Sequence, residues 1–506
     1  MRSTLLALAL LGAAATRADA FCGFYVGGAG AQMFNNASEV VLMRHGTTTV
    51  LSMQNNYQGP PEHFALVVPV PVVVRQAQVK TLPHELFDKI DTLGAPRLVE
   101  YLEQDPCKQY VEYNAMPMPD MATGTTEDSE EPSKGEEYHV KIEAKFSVGE
   151  YDIVVLSAQE STGLDRWLHA NHYTIPAGAE PLLRPYVEQG MKFFVAKVDP
   201  KKVTFKDGMA TLSPLRFYYD SADFSLPIRL GLANSSGTQD LIINILAPNL
   251  RYEVANHPNV TIPTNLPVRD EVRTRFGEFY AALFDHTIEA VPDAVVTEYS
   301  WDSGSCDPCP GPTLDPEDVA TLGADVIGST YKDADNASYT LTRLHARYGK
   351  DLKDDLVFRA VEPIVGGRGI PDPSGAVPME VTRDSTNNFQ GRYIITHPWT
   401  GPIACADPHR GQWGGPIDSS QQIATQAATN LAFAPRGNLQ LGAMLAKDLP
   451  QIGIMSSIGA HPPIPPRQPQ GCGCATNDPS TGTAAIFGAV VVAIRRRRRR
   501  SGRLSK

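Results

Sequence analysis

Five cysteines between residues 21 and 459 of this 506-residue chain are the side chains whose chemistry is easiest to state: Cys22, Cys107, Cys306, Cys309 and Cys405. Cys306-Asp307-Pro308-Cys309 has the spacing of a thiol–disulfide redox pair. A redox thiol needs its pKa lowered, commonly by a helix N-terminus, and Pro310-Gly311-Pro312 forbids an immediate helix. A structural disulfide is therefore expected, joining Cys306 and Cys309 to each other or to Cys405 and another thiol. An odd number of cysteines leaves one thiol free or intermolecular. A zinc site of Cys306, Cys309, Cys405 and His409 has the right donor types, but the gap from Cys309 to Cys405 is far longer than a compact zinc module uses. No metal is expected.

Other catalytic templates fail at an essential residue. His84-Glu85 opens a zinc-protease pattern, yet the position of the second histidine is Asp88. There is no Gly-x-Ser-x-Gly elbow, and Gly349-Lys350-Asp351 lacks the spacing and hydroxyl of a phosphate loop. Asp333, Asp335 and Asn336 are spaced loosely like calcium ligands without the turn glycine and distal glutamate. Arg343, His345 and Arg347 alternate, so on a strand they share one face, which could bind an anion or simply be solvated. No pattern calls for a cofactor. The first reading is a noncatalytic structural or binding protein. The alternative is a secreted hydrolase or thiol- or metal-dependent enzyme whose site is assembled from distant residues such as His172, His345, Asp220 or the Cys306 pair.

The elements that would position these residues are α+β: predominantly antiparallel sheet with short amphipathic helices. Val40–Met43 and Thr48–Leu51 flank a His45-Gly46 turn, and the run from Phe64 to Val72 reads as a strand whose prolines confine it to an edge or an ending. Leu86, Ile90 and Leu93 behind Pro83 predict a helix, as do Leu98, Val99 and Leu102 behind Pro96. Strands are expected from Val140 to Val148, Tyr151 to Leu156, Met191 to Val198, Ile228 to Leu232 and Leu241 to Leu246. Helices are expected around Trp167 and from Pro181 to Gln189, the latter closing at Gly190. Residues 114–137, with Glu127-Asp128-Ser129-Glu130-Glu131, read as a disordered insertion. The body thus divides into an N-terminal part, 21–250, and a C-terminal part, 251–459, of one domain.

The ends carry targeting signals. Arg2, the apolar run Leu5 to Leu11 and Ala18-Asp19-Ala20 form a signal peptide over residues 1–20, with cleavage by signal peptidase expected before Phe21. Residues 460–474 form a proline-rich stalk ending in Gly471-Cys472-Gly473-Cys474, and residues 475–506 hold a short apolar segment, Ala484 to Ile494, stopped by Arg495, Arg496, Arg497, Arg498, Arg499 and Arg500. As a transmembrane helix this run would cover roughly half of a ~30 Å hydrocarbon core, which suits a transient halt with the arginines kept in the cytoplasm. Removing the +1 of residues 1–20 and the +7 of residues 475–506 from the overall −11 leaves −19 on residues 21–474. That acidic surface excludes nucleic acid as a partner.

Cys22-Gly23-Phe24-Tyr25, Asn56-Tyr57-Gln58-Gly59, the run from Phe64 to Pro71, Trp167-Leu168-His169-Ala170-Asn171, Leu226-Pro227-Ile228-Arg229, Cys306-Asp307-Pro308-Cys309, Thr342 to Tyr348 and Trp413-Gly414-Gly415 stand in the order of a secreted bacterial family known as a domain of unknown function, which residues 21–416 resemble. Many members carry another cysteine soon after the first, where Val26 and Gly27 stand here. The resemblance implies no activity. The tail resembles the myxobacterial C-terminal sorting signal, which implies cutting by a membrane protease, lipid attachment at Cys472 or Cys474, and retention at the cell envelope or outer surface.

Overall fold

The computed structural model describes residues 24–25, 37–54, 65–108, 139–171, 179–206, 209–234, 237–327, 338–414, 424–431 and 439–453. The signal segment, Cys22, the insertion at 114–137, His172, the Asp333 loop and the whole tail, with Cys472, Cys474 and Arg495 to Arg500, lie outside them. Along the chain run β1 (Ala37–His45), β2 (Thr48–Met53), α1 (His84–Gly94), β3 (Arg97–Glu103), α2 (Ser161–Ala170), α3 (Ala179–Glu188), β4 (Gln239–Pro248), α4 (Phe276–Ala290), β5 (Val295–Asp302), β6 (Tyr339–Tyr348) and β7 (Arg392–His397), with shorter strands between them.

β1 and β2 form the expected hairpin, closing on Gly46 and Thr47, with Gly46 at φ +57° where an L side chain is disfavoured. They sit in the middle of a main sheet of eleven strands among the described residues, in which β5, β6, β4, β1 and β2 are successive neighbours. Pairing is antiparallel apart from a few contacts such as β4 beside β1, where Ile243 lies opposite Val40. β4 is buried from Gln239 to Ala247, so its sequence is nearly continuous in apolar residues rather than alternating.

The period of two in β1 explains the layers. Val40 and Leu42 point to a five-stranded antiparallel sheet that supplies Leu66, Val68, Ile153, Val155 and Phe194. Val41 and Met43 point the other way, to Leu86, Phe87, Ile90 and Leu93 of α1. Each such side chain contributes roughly 1.5–3 kcal/mol by leaving water. α2 and α3 cover the outer face of the five-stranded sheet through Leu164, Leu168, Leu183 and Tyr186. Pro69 is tolerated in the strand Ala65–Val70 because the short outer strand Phe24–Tyr25 pairs only with Leu66 and Val67.

A smaller sheet sets β7 beside β3 in parallel, with Leu266–Pro267, Trp413–Gly414 and Ala424–Ala427 at its margins. α4 packs on it, Phe279 and Tyr280 meeting Tyr393 edge-on. Two expectations are corrected. Leu98, Val99 and Leu102 belong to strand β3, not a helix: partners on both sides supply its backbone hydrogen bonds, and Leu98 and Val99 are buried in separate clusters. Ile228 to Leu232 is not a strand either, for Arg229–Asn234 winds into a 3-10 turn whose Leu230 packs beneath α3. Among the described residues no helix is long and apolar enough to cross a membrane.

Candidate functional site

The densest set of titratable groups is built on β6. Alternation puts Arg343, His345 and Arg347 on one face of that strand, as their spacing predicts, but the face is interior: Arg343 is 0% exposed and His345 1%. β5 brings Glu298 opposite, also interior, and β4 brings Asp240. The Arg343 guanidinium donates from Nε to Glu298 Oε2 at 2.8 Å, and its second amino nitrogen lies 2.7 Å from Asp91 Oδ1 on α1. His345 has Glu298 Oε1 2.8 Å from Nδ1 and Asp240 Oδ1 3.3 Å from Nε2, so both ring nitrogens face carboxylates. Arg347 grips Asp240 with two nitrogens and donates to Asp285 of α4 at 2.6 Å. Tyr280 donates its hydroxyl to Glu298 at 2.7 Å, and the Phe284 ring lies parallel to the imidazole at 3.7 Å.

Burial drives the Glu298 carboxyl upward, but the charges and hydrogen bonds of His345 and Arg343 outweigh it and hold it below the ordinary carboxylate range. The Arg343 guanidinium, although buried, is held above its usual value by Asp91, Glu298 and Glu39. Glu39, at the edge of the same cluster and bonded by Asn244, goes the other way. Burial and the neighbouring Asp91 push it well above the usual range. The packing is close here, since a Cβ at Gly94 would lie 3.2 Å from Arg343 Cδ. Neither a solvated face nor a free anion site is present: each cation is already matched by a carboxylate, and the imidazole is covered by Phe284.

A second cluster lies in the smaller sheet. Arg97 on β3 and Arg392 on β7 are 0% and 1% exposed, and among the described residues neither has a carboxylate within ion-pair distance. Arg392 donates to Asn265 Oδ1 at 2.5 Å, to the Tyr101 hydroxyl at 2.9 Å and to the Gly369 carbonyl at 2.7 Å. Arg97 donates to the carbonyls of Leu93 and Pro308 and lies over the Tyr299 ring. Burial pulls the Arg97 guanidinium down to about 10, more than Tyr299 and the more distant Asp307 can offset. Pro308 is the third residue of the Cys306-Asp307-Pro308-Cys309 loop, and Gln390 holds the carbonyl of Asp307 at 2.6 Å. This loop therefore hangs on two buried side chains, Arg97 of the smaller sheet and Gln390 of the main-sheet strand Asn388–Gln390.

Cys306 and Cys309 are disulfide-bonded to each other, and Cys405 is bonded to Cys107 across a sequence separation of 298. The thiolates needed for a Cys306, Cys309, Cys405 and His409 zinc site are thus engaged elsewhere, and no group of three or more metal-ligating side chains occurs among the described residues. Glu103 at the end of β3 accepts from the amides of Trp399 and Gly411 and from Arg410, clamping the segment that carries Cys405. Asp220 sits apart at the end of its strand, accepting from Thr48, so it does not join His345 in one site. His84 lies at the start of α1.

Sequence reasoning did not find Asp91, Asp240, Asp285, Glu298 or Cys107 as partners. Glu298 left a signal: it is the one acid in Val295 to Trp301, a run buried throughout. An acid in such a strand requires a buried cation.

An α+β body with a matched interior charge cluster and a disulfide-tied second sheet defines the class of protein. The chain belongs to the family whose model is described as an uncharacterized protein conserved in bacteria, DUF2330, which matches residues 16–359. That span holds the whole Glu298 cluster and the Cys306 loop, while Cys405 and β7 fall beyond it. Comparison with curated proteins and with solved structures finds no match.

Proposed function

We propose that this is an exported protein held at the bacterial cell envelope or outer surface by its C-terminal tail, with a noncatalytic body that serves a structural or binding role. The observation that carries the reading is the pair of disulfides in the body, Cys107–Cys405 and Cys306–Cys309, a chemistry that persists in oxidising compartments outside the cytoplasm. The signal-peptide pattern and the Cys472, Cys474 and Arg495 to Arg500 tail supply the route in and the hold. The noncatalytic part rests on the Glu298 cluster, whose acids and bases are spent on one another in the interior.

Signal peptidase and a C-terminal sorting protease are the partners this route requires. Removing residues 471–506 should release the protein into the medium. Replacing Cys472 and Cys474 together should leave unprocessed protein in the inner membrane. Cell fractionation with intact-mass measurement reads both, and a double-cysteine variant still trimmed and still on the surface would contradict the sorting step.

A further inference from the structure

The body is strongly acidic, yet one cleft in it is basic. It has a volume of about 440 Å³ and opens where the β1–β2 turn meets the strands Arg251–Val254 and Leu356–Val361. Three aromatic rings form its wall: Phe224 lies edge-on to Tyr252 at 5.2 Å and tilted against Phe358 at 5.0 Å. Leu250, 44% exposed, extends the apolar surface. The cationic side chains on the lining are Arg44 and Arg359, and no lining residue is acidic.

The hydrogen-bond partners that fix Arg44 are neutral, although the carboxylates of Asp220 and Asp223 lie near enough to favour its charge. Its guanidinium lies 5.4 Å from the Phe224 ring centroid and donates to the carbonyls of Thr47, Ser221 and Ala222 and to the Thr49 hydroxyl, all neutral oxygens. Burial accordingly pulls its pKa down. Arg359 at the rim is 58% exposed and forms only a loose ion pair with Glu253 at 3.9 Å, which a ligand carboxylate can replace. An aromatic wall takes a flat or flexible apolar body. A held cation and an exposed, loosely paired guanidinium at the rim take one negative group. The volume lies within the range of pockets that enclose small molecules.

We infer that this cleft binds a small amphipathic carboxylate, its apolar body against Phe224, Tyr252 and Phe358 and its carboxylate toward Arg44 and Arg359. The inference extends the binding role proposed above and stands independently of export and anchoring. In a body carrying −19 over residues 21–474, anions are repelled elsewhere, so the basic lining also selects where such a ligand docks.

Calorimetric titration of the purified full chain with decanoate, and with decan-1-ol as its uncharged counterpart, tests this. Decanoate should bind at one saturable site, more tightly than decanol, and more weakly as salt is raised. Leu250→Asp and Arg359→Gln change exposed residues and should preserve the thermal midpoint, while each weakens decanoate binding by about tenfold or more, the scale of one lost charge contact. Absence of saturable decanoate binding, equal affinity for decanol, or decanoate binding unchanged in both variants would overturn the inference. Because the readout is binding by purified protein, such a failure would leave the surface-anchoring proposal untouched. A failure of anchoring would likewise leave the cleft standing.

Discussion

The Glu298 cluster buries Arg343 as deeply as the Arg97–Arg392 cluster buries its two guanidiniums, and the two clusters solve the cost in opposite ways. On the main sheet, Arg343 and Arg347 meet carboxylates delivered by four other elements, so charge itself ties α1, α4, β4 and β5 to β6. On the smaller sheet, Arg97 and Arg392 meet only carbonyl, amide and hydroxyl oxygens. The difference shows in the proton equilibria: Arg343 is held above its usual value and Arg97 falls to about 10. The smaller sheet has a second fastening that the main sheet lacks among the described residues. Cys107–Cys405 ties the end of β3 to the segment after β7, while Cys306–Cys309 closes a loop that follows main-sheet β5 and is held from both sheets, by Arg97 and Gln390. One region is held by ion pairs that form in any compartment; the other depends on oxidation.

The sharpest way to break this comparison is to remove the long disulfide. Replacing Cys107 and Cys405 by serine should cost about 5 kcal/mol, because the bond closes a very long loop of the unfolded chain, whereas losing Cys306–Cys309 should cost about 2 kcal/mol. Hydrogen exchange should accelerate in β3 and β7 and remain slow in β4 and β6. Equal acceleration in both sheets would mean that the two regions are not separately fastened.

Next in size is the main-sheet cluster. Glu298→Gln or Arg343→Met should each lower stability by about 3–5 kcal/mol, as one partner of a buried pair is left alone. The pH profile carries the sign. With its folded pKa depressed, Glu298 stabilises above the unfolded carboxylate value of about 4.3, and that contribution is lost as pH falls through the folded pKa. Glu298→Gln should therefore flatten the acid limb of a stability curve. An unchanged acid limb would show that the cluster contributes nothing through charge.

Arg392→Met should cost less, about 1–3 kcal/mol, since it strands neutral oxygens but also removes an unneutralised buried charge. A loss as large as that of Arg343→Met in chemical unfolding would erase the distinction between the clusters.

Local periodicity made much of the fold legible. The β1–β2 hairpin, α1 and α3 are each specified by spacing and by a turn or proline residue at the right place, and α2 by spacing alone. β3 was not, because Leu98, Val99 and Leu102 satisfy a helical spacing as well as a strand buried on both faces, and only its neighbours β7 and Ala424–Ala427 decide the matter. The shared face of Arg343, His345 and Arg347 followed from alternation, but its burial did not. Asp91, Asp240 and Glu298 lie far from them in sequence and carry no local signature. Pairing of Cys405 with Cys107 was hidden for the same reason, while Cys306 and Cys309 stand three residues apart.

Peptide mass mapping of the protein taken from the cell envelope, alkylated without reductant, tests the account most directly. It predicts an N-terminus at Phe21, one linked pair of peptides containing Cys107 and Cys405, and one peptide with Cys306 and Cys309 closed on each other. Recovery of a chain beginning at Met1, with Cys107, Cys306, Cys309 and Cys405 all alkylated, would contradict both the export of this protein and the oxidised fastening of its smaller sheet.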